Sequence, residues 1–132
     1  MEPLMLSSNF DYQYCFGVEF NSTATSVETM QLNSVDSIID IGGSKFANKK
    51  LNVLLTKITA AGTETYTFTL EVSDDPAFGS FDVIHTEVVP KETLLGTVDV
   101  PIFVTDKTYI RVRMVGANTP DWSLTAWLSP IF

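Results

Sequence analysis

Near its start the chain carries large apolar or aromatic residues at six successive alternate positions: Phe10, Tyr12, Tyr14, Phe16, Val18 and Phe20. Asp11, Gln13, Cys15, Gly17 and Glu19 fill the other phase. Strand side chains alternate between two faces, so this period predicts a strand with one buried side. A helix would scatter the same residues around its surface. Gly17 interrupts the pattern and is a candidate bulge.

The same period recurs along the chain. A weaker strand is expected over Val27 to Leu32 and a short one over Val35 to Ile41, stopped by Gly42-Gly43 and followed by a polar, basic loop from Ser44 to Lys50. Leu51, Val53 and Leu55 share one face of the next strand. Tyr66, Phe68, Leu70 and Val72 share a face of another, with Thr65, Thr67, Thr69 and Glu71 opposite. Ala60-Ala61-Gly62 reads as a hairpin loop between these two, with Gly62 available for positive φ. Ser73-Asp74-Asp75-Pro76 is a run of turn formers able to cap one helical turn with Pro76 at its first position. Phe81 to Val88 is strand-like. Thr97 to Val104 and Thr108 to Val115 read as a hairpin around Asp106-Lys107, and Trp122, Leu124, Ala126 and Leu128 share a face of the final strand.

About eight short strands with regular turn signals and little or no helix predict an all-β antiparallel β-sandwich or jelly roll. The length, 132 residues, suits one domain with a sizeable core. We assign residues 10–132 to that domain and residues 1–9 to a loose N-terminal arm.

Composition narrows the function classes. Sixteen acidic against eight basic residues give a formal charge of −8, which disfavours nucleic acid, where affinity comes from Lys and Arg displacing counterions. It disfavours an anionic membrane surface equally. No apolar run reaches the ~18 residues a spanning helix needs. The segment Met1-Glu2-Pro3-Leu4-Met5-Leu6 has an acid where an export signal has its basic end. The single cysteine, Cys15, allows no intrachain disulfide and suits synthesis in a reducing cytoplasm. Charged residues are only 18% of the chain, a composition common where much surface becomes interface.

Residues able to do chemistry are few, and we assign no catalytic, metal-binding or cofactor-binding residue. His85 is the one histidine, so paired-histidine zinc sites are excluded and a solvated or hydrogen-bonded strand histidine is expected. Asp74-Asp75 lacks the spaced oxygen ligands of a calcium loop and reads as a turn before Pro76. Asn21-Ser22-Thr23 matches a glycosylation sequon, a weakly specific pattern. Trp122 and Trp127 fall on opposite faces of a regular final strand, so with one in the core the other either meets solvent, a ligand or a partner, or lies in a second, partly covered core layer. Arg111 and Arg113 share the phase opposite Ile110, Val112 and Met114. They are expected on a solvated or interface face, where carboxylates of the same or a neighbouring subunit could pair with them.

Several segments resemble one known family. They are Ile39-Asp40-Ile41-Gly42, Leu51-Asn52-Val53, Ala61-Gly62-Thr63, Leu70-Glu71-Val72-Ser73-Asp74-Asp75-Pro76-Ala77-Phe78, Tyr109-Ile110-Arg111-Val112 and the closing strand from Trp122 to Leu128. Their order is similar to that of the small jelly-roll cement, or decoration, proteins of tailed bacteriophages. The resemblance covers about three quarters of the chain, and the run from Ser73 to Phe78 is its most distinctive part. It implies a homotrimer on the exterior of the virion capsid, made in the host cytoplasm and docked on the major capsid protein. There it would stabilise the shell against the pressure of packaged DNA. Phe10, Tyr12, Tyr14, Phe16, Arg111, Arg113, Trp122 and Trp127 are the candidate residues for subunit or capsid contacts. The alternative is a carbohydrate-binding sandwich that stacks a sugar on an exposed tryptophan, with Asn118 or Asp121 nearby. A cupin-like metal enzyme is remote, because such sites gather several histidines.

Overall fold

Alternation alone does not decide which strands pair, and here the chain departs from its simplest reading. The computed structural model describes residues 14–130. Eleven strands run in chain order: β1 (Cys15–Ser22), β2 (Glu28–Thr29), β3 (Gln31–Leu32), β4 (Val35–Asp36), β5 (Ile39–Asp40), β6 (Lys49–Ile58), β7 (Thr65–Ser73), β8 (Asp82–Val89), β9 (Gly96–Val98), β10 (Tyr109–Ala117) and β11 (Trp122–Pro130). No α-helix occurs among the described residues. One sheet has the order β1-β11-β6-β9, the other β2-β10-β7-β8, and all pairs are antiparallel.

The chain is an all-β sandwich, with eleven strands where about eight were expected. The excess comes from the stretch around Val27 to Ile41. Both β2 and β5 pair with β10, and the small β3-β4 hairpin is an excursion between them. Counted as one interrupted strand, β2 to β5 restore eight positions, ordered 1-8-3-6 and 2-7-4-5. That winding is a jelly roll.

The winding corrects two expected hairpins. Strands β6 and β7 lie in opposite sheets, so Ala60-Ala61-Gly62 is part of a crossover, and Gly62 does not have positive φ. Strands β9 and β10 are likewise in opposite sheets. The turn formers from Ser73 onward instead close the hairpin between β7 and β8, without a helical turn.

The first strand follows its pattern only in part. Phe10 and Tyr12 lie outside the described residues. Cys15, Phe16 and Gly17 are buried in succession, while Val18 is exposed. The register against β11 slips twice, between Cys15 and Gly17 and again before Phe20, and Glu19 has φ 46°. The bulge expected at Gly17 is therefore present. A Cβ at Gly17 would lie 2.9 Å from the carbonyl oxygen of Gln31, so close backbone approach explains the glycine.

Between the sheets, Leu51, Val53 and Leu55 of β6 and Trp122, Leu124, Ala126 and Leu128 of β11 face Tyr66, Phe68, Leu70 and Val72 of β7 and Ile110, Val112 and Met114 of β10. The rings of Tyr66 and Trp122 meet across the layers at 5.0 Å. The Tyr66 hydroxyl donates to the Thr59 carbonyl and accepts from the Asp121 amide, tying the two chain crossings together. Buried Lys49 donates to the carbonyls of Ser44 and Ala47, so a cation closes the loop that precedes β6.

Gly116 tests the packing at this end. A Cβ there would fall 2.3 Å from the Cβ of Pro120, whereas one at Gly43 would meet nothing within 4 Å. Gly116→Ala should destabilise the fold by about 1–3 kcal/mol in urea melts, the usual cost of overpacking. Gly43→Ala should leave the midpoint nearly unchanged.

Candidate interaction surface

The register of β10 on β7 sets Arg111 directly opposite Glu71 and Arg113 opposite Thr69. With Ile110, Val112 and Met114 turned into the core, both arginines stand on the outer face of the five-stranded sheet. Glu71 shares the face of β7 opposite the core with Thr65, Thr67 and Thr69. It is only 2% exposed, covered by the two long side chains that it attracts. Arg111 Nε donates to Glu71 Oε1 at 2.8 Å. Arg113 Nε approaches the same oxygen at 2.8 Å, an ion pair without hydrogen-bond alignment. Glu71 Oε2 accepts from the Thr69 hydroxyl. The arginines thus pair with a carboxylate of their own chain.

Aromatic rings complete the assembly. The Arg111 guanidinium lies 4.2 Å from the Phe78 ring centre and 4.9 Å from that of Phe81, and Arg113 lies 5.2 Å from Phe81. Such cation-π contacts gain strength as water is excluded. The β7-β8 loop exists in the form that permits this. Asp75 accepts from the amides of Ala77 and Gly79 through its two carboxylate oxygens, and its carbonyl accepts from the Phe78 amide. The Ser73 hydroxyl donates to the Ser80 carbonyl and accepts from the Asp75 amide. Phe78 is held at φ 53°, a left-handed conformation costly for a bulky residue, and its ring is buried beneath Arg111. Asp74 accepts from both the amide and the hydroxyl of Thr108, fastening this loop to the segment before β10. The turn reading of Asp74-Asp75 therefore holds. His85 is hydrogen-bonded to Glu87 at 2.8 Å, as a strand histidine of the expected kind.

The other candidate contact residues are dispersed. Phe16 and Trp122 are fully buried within the chain and offer no surface to a partner. Tyr14 is half-buried against the core. Trp127 lies in the opposite phase of β11 from Trp122 and is 8% exposed, so neither tryptophan is exposed and, of the two alternatives, the covered second layer holds. Phe10 and Tyr12 lie outside the described residues. Exposed Phe81, Val83 and Val88 on and beside β8 flank the arginines. The sequence reading missed Glu71, Phe78 and Phe81 as site residues. Comparison with models of known protein families and with curated proteins found no match for this chain.

Removing the central carboxylate should be costly, because it leaves two cations facing each other in a partly dry site. Glu71→Ala should lose about 3–5 kcal/mol of stability, and Arg113→Ala, at the more exposed partner, distinctly less. Equal losses in denaturant titrations would contradict this arrangement. The amides of Ala77 and then Gly79 hold the Asp75 carboxyl below its usual range. Because its folded pKa is depressed, its contribution is present above the unfolded pKa of about 4 and is lost as pH falls through the folded value. Asp75→Asn should therefore flatten the acid limb of the stability profile.

Proposed function

We propose that this chain is a non-enzymatic structural protein of a phage virion, three copies of which associate and dock on the outer surface of the major capsid protein shell. The observation that carries the reading is a convergence. Leu70 to Phe78 and Tyr109 to Val112, two separate segments of the family resemblance, meet in space as the Glu71, Phe78 and Arg111 assembly. A rigid cluster on an open sheet face, beside exposed Phe81, Val83 and Val88, has the mixed apolar and charged character of a protein contact surface. The jelly-roll winding agrees with the resemblance and by itself says nothing of function. A formal charge of −8 suits the outside of a DNA-filled shell.

Three modest docking sites joined in one assembly would hold by effective concentration even where each alone is weak. Stable association would bury on the order of 1,000 Å² or more at each contact. The carbohydrate alternative gains no support, because its stacking platform required an exposed tryptophan and both are buried.

Native mass measurement of the free protein should give three times 14.6 kDa, and the protein should sediment with purified DNA-free shells. A monomer that stays in the supernatant would overturn the reading.

A further inference from the structure

The Arg111, Arg113 and Glu71 assembly is not internally balanced. Two guanidinium groups share one carboxylate, which leaves one positive charge on a chain that is otherwise strongly acidic. Both oxygens of Glu71 are engaged: its Oε1 is shared by the two Nε groups, and its Oε2 accepts from Thr69. The Nη groups of both arginines have no hydrogen-bond partner among the described residues. Phe78 and Phe81 hold the planes in place, and the side chains remain 13% and 25% exposed. Two fixed planar forks with open outer edges are suited to one more oxyanion, and little conformational freedom remains to be lost when it arrives.

The surroundings say which oxyanion fits. Asp74, Asp75 and Asp82 line the hollow beside Phe81 with Lys107 as the one cation. A polyanion such as nucleic acid would meet these carboxylates along with the arginines. A single negative charge is repelled by them far less than a polyanion and can still be matched by the surplus positive one. Val83, opposite Glu71 on the neighbouring strand, and Phe81 are exposed and apolar. The occupant should therefore present one carboxylate beside an apolar side chain.

We propose that Arg111 and Arg113 form a clamp for a single Asp or Glu side chain of a docking protein partner, seated against Phe81 and Val83. The inference rests on reading this face as a docking surface, but does not require the partner to be a capsid. In the free protein Glu71 keeps the clamp folded. In the complex the outer edges of the guanidinium groups take the partner's carboxylate.

The test is a titration followed by the arginine Nε–H and Val83 methyl NMR signals. The probe is an acetylated, amidated Val-Glu-Leu peptide, compared with its glutamine counterpart and with inorganic phosphate. The acidic peptide should give saturable shifts at Arg111, Arg113 and Val83. The glutamine peptide, and the acidic peptide on the Arg113→Gln protein, should bind about tenfold more weakly or worse. Arg113→Lys should recover only part of the loss, since it keeps the charge without the fork. Urea melts of each variant establish that it is folded under the titration conditions. Equal binding of both peptides, absence of saturable shifts, or tighter binding of phosphate than of the acidic peptide would overturn the clamp. So would shifts of the arginine signals with protein concentration alone, which would make a second copy the occupant. Wild-type retention of Arg113→Gln on shells would also overturn it and leave the docking reading standing. Saturable peptide shifts in a protein that ignores shells would support the clamp while removing the capsid as its partner.

Discussion

The pairing of β7 with β10 is the contact on which both sides of this molecule depend. Nine residues of each strand run in unbroken register from Tyr109 opposite Ser73 to Ala117 opposite Thr65. Inward, that register stacks Ile110, Val112 and Met114 beside Val72, Leu70 and Phe68, and these residues form one wall of the core. Outward, it sets Arg111 across from Glu71. Because side chains alternate strictly, a slip of one residue would send the arginines into the core and the aliphatics to the surface. Burial of the inner face thus fixes the geometry of the outer one. The ion cluster needs no separate device to find its partners.

The outer cluster adds a second constraint. A buried carboxylate is tolerable only when it is well paired, and Glu71 has two cations and a hydroxyl around it. The loop between β7 and β8 then supplies aromatic cover, at the expense of a left-handed Phe78. Ser73, Asp74 and Asp75 use their side chains to hold that loop, satisfying its amides and hydroxyls in turn. Strain concentrated beneath a charged, partly exposed cluster is the pattern expected where surface geometry matters to a partner.

Much of this was legible in the sequence. The strand periods identified both faces of β7 and β10, the burial of Leu51, Val53 and Leu55, and the class of the fold. The turn chemistry of Asp74-Asp75 was readable because it is local. Pairing was not. Joining each strand to its sequence neighbour gave hairpins at Ala60-Ala61-Gly62 and Asp106-Lys107. In a jelly roll most consecutive strands change sheets, and the partner of β10 lies far back in the chain. With β10 assigned to the wrong neighbour, nothing reveals that Arg111 faces Glu71. Trp127 stays open between a partner face and a covered layer for a related reason. Alternation indicates which side of a strand a residue takes but not what covers that side. The bulge in β1 was signalled by Gly17, but its effect on Val18 depends on the two register slips against β11.

We propose that the outer face of the five-stranded sheet is where this protein meets its partner. Hydroxyl-radical footprinting of the free protein and of the protein bound to shells tests it most directly. Phe81, Val83 and Val88 should become protected on binding, while Leu94, exposed on the connection between β8 and β9, should stay reactive. Protection of Leu94 with unchanged reactivity at Phe81 and Val83 would contradict the account.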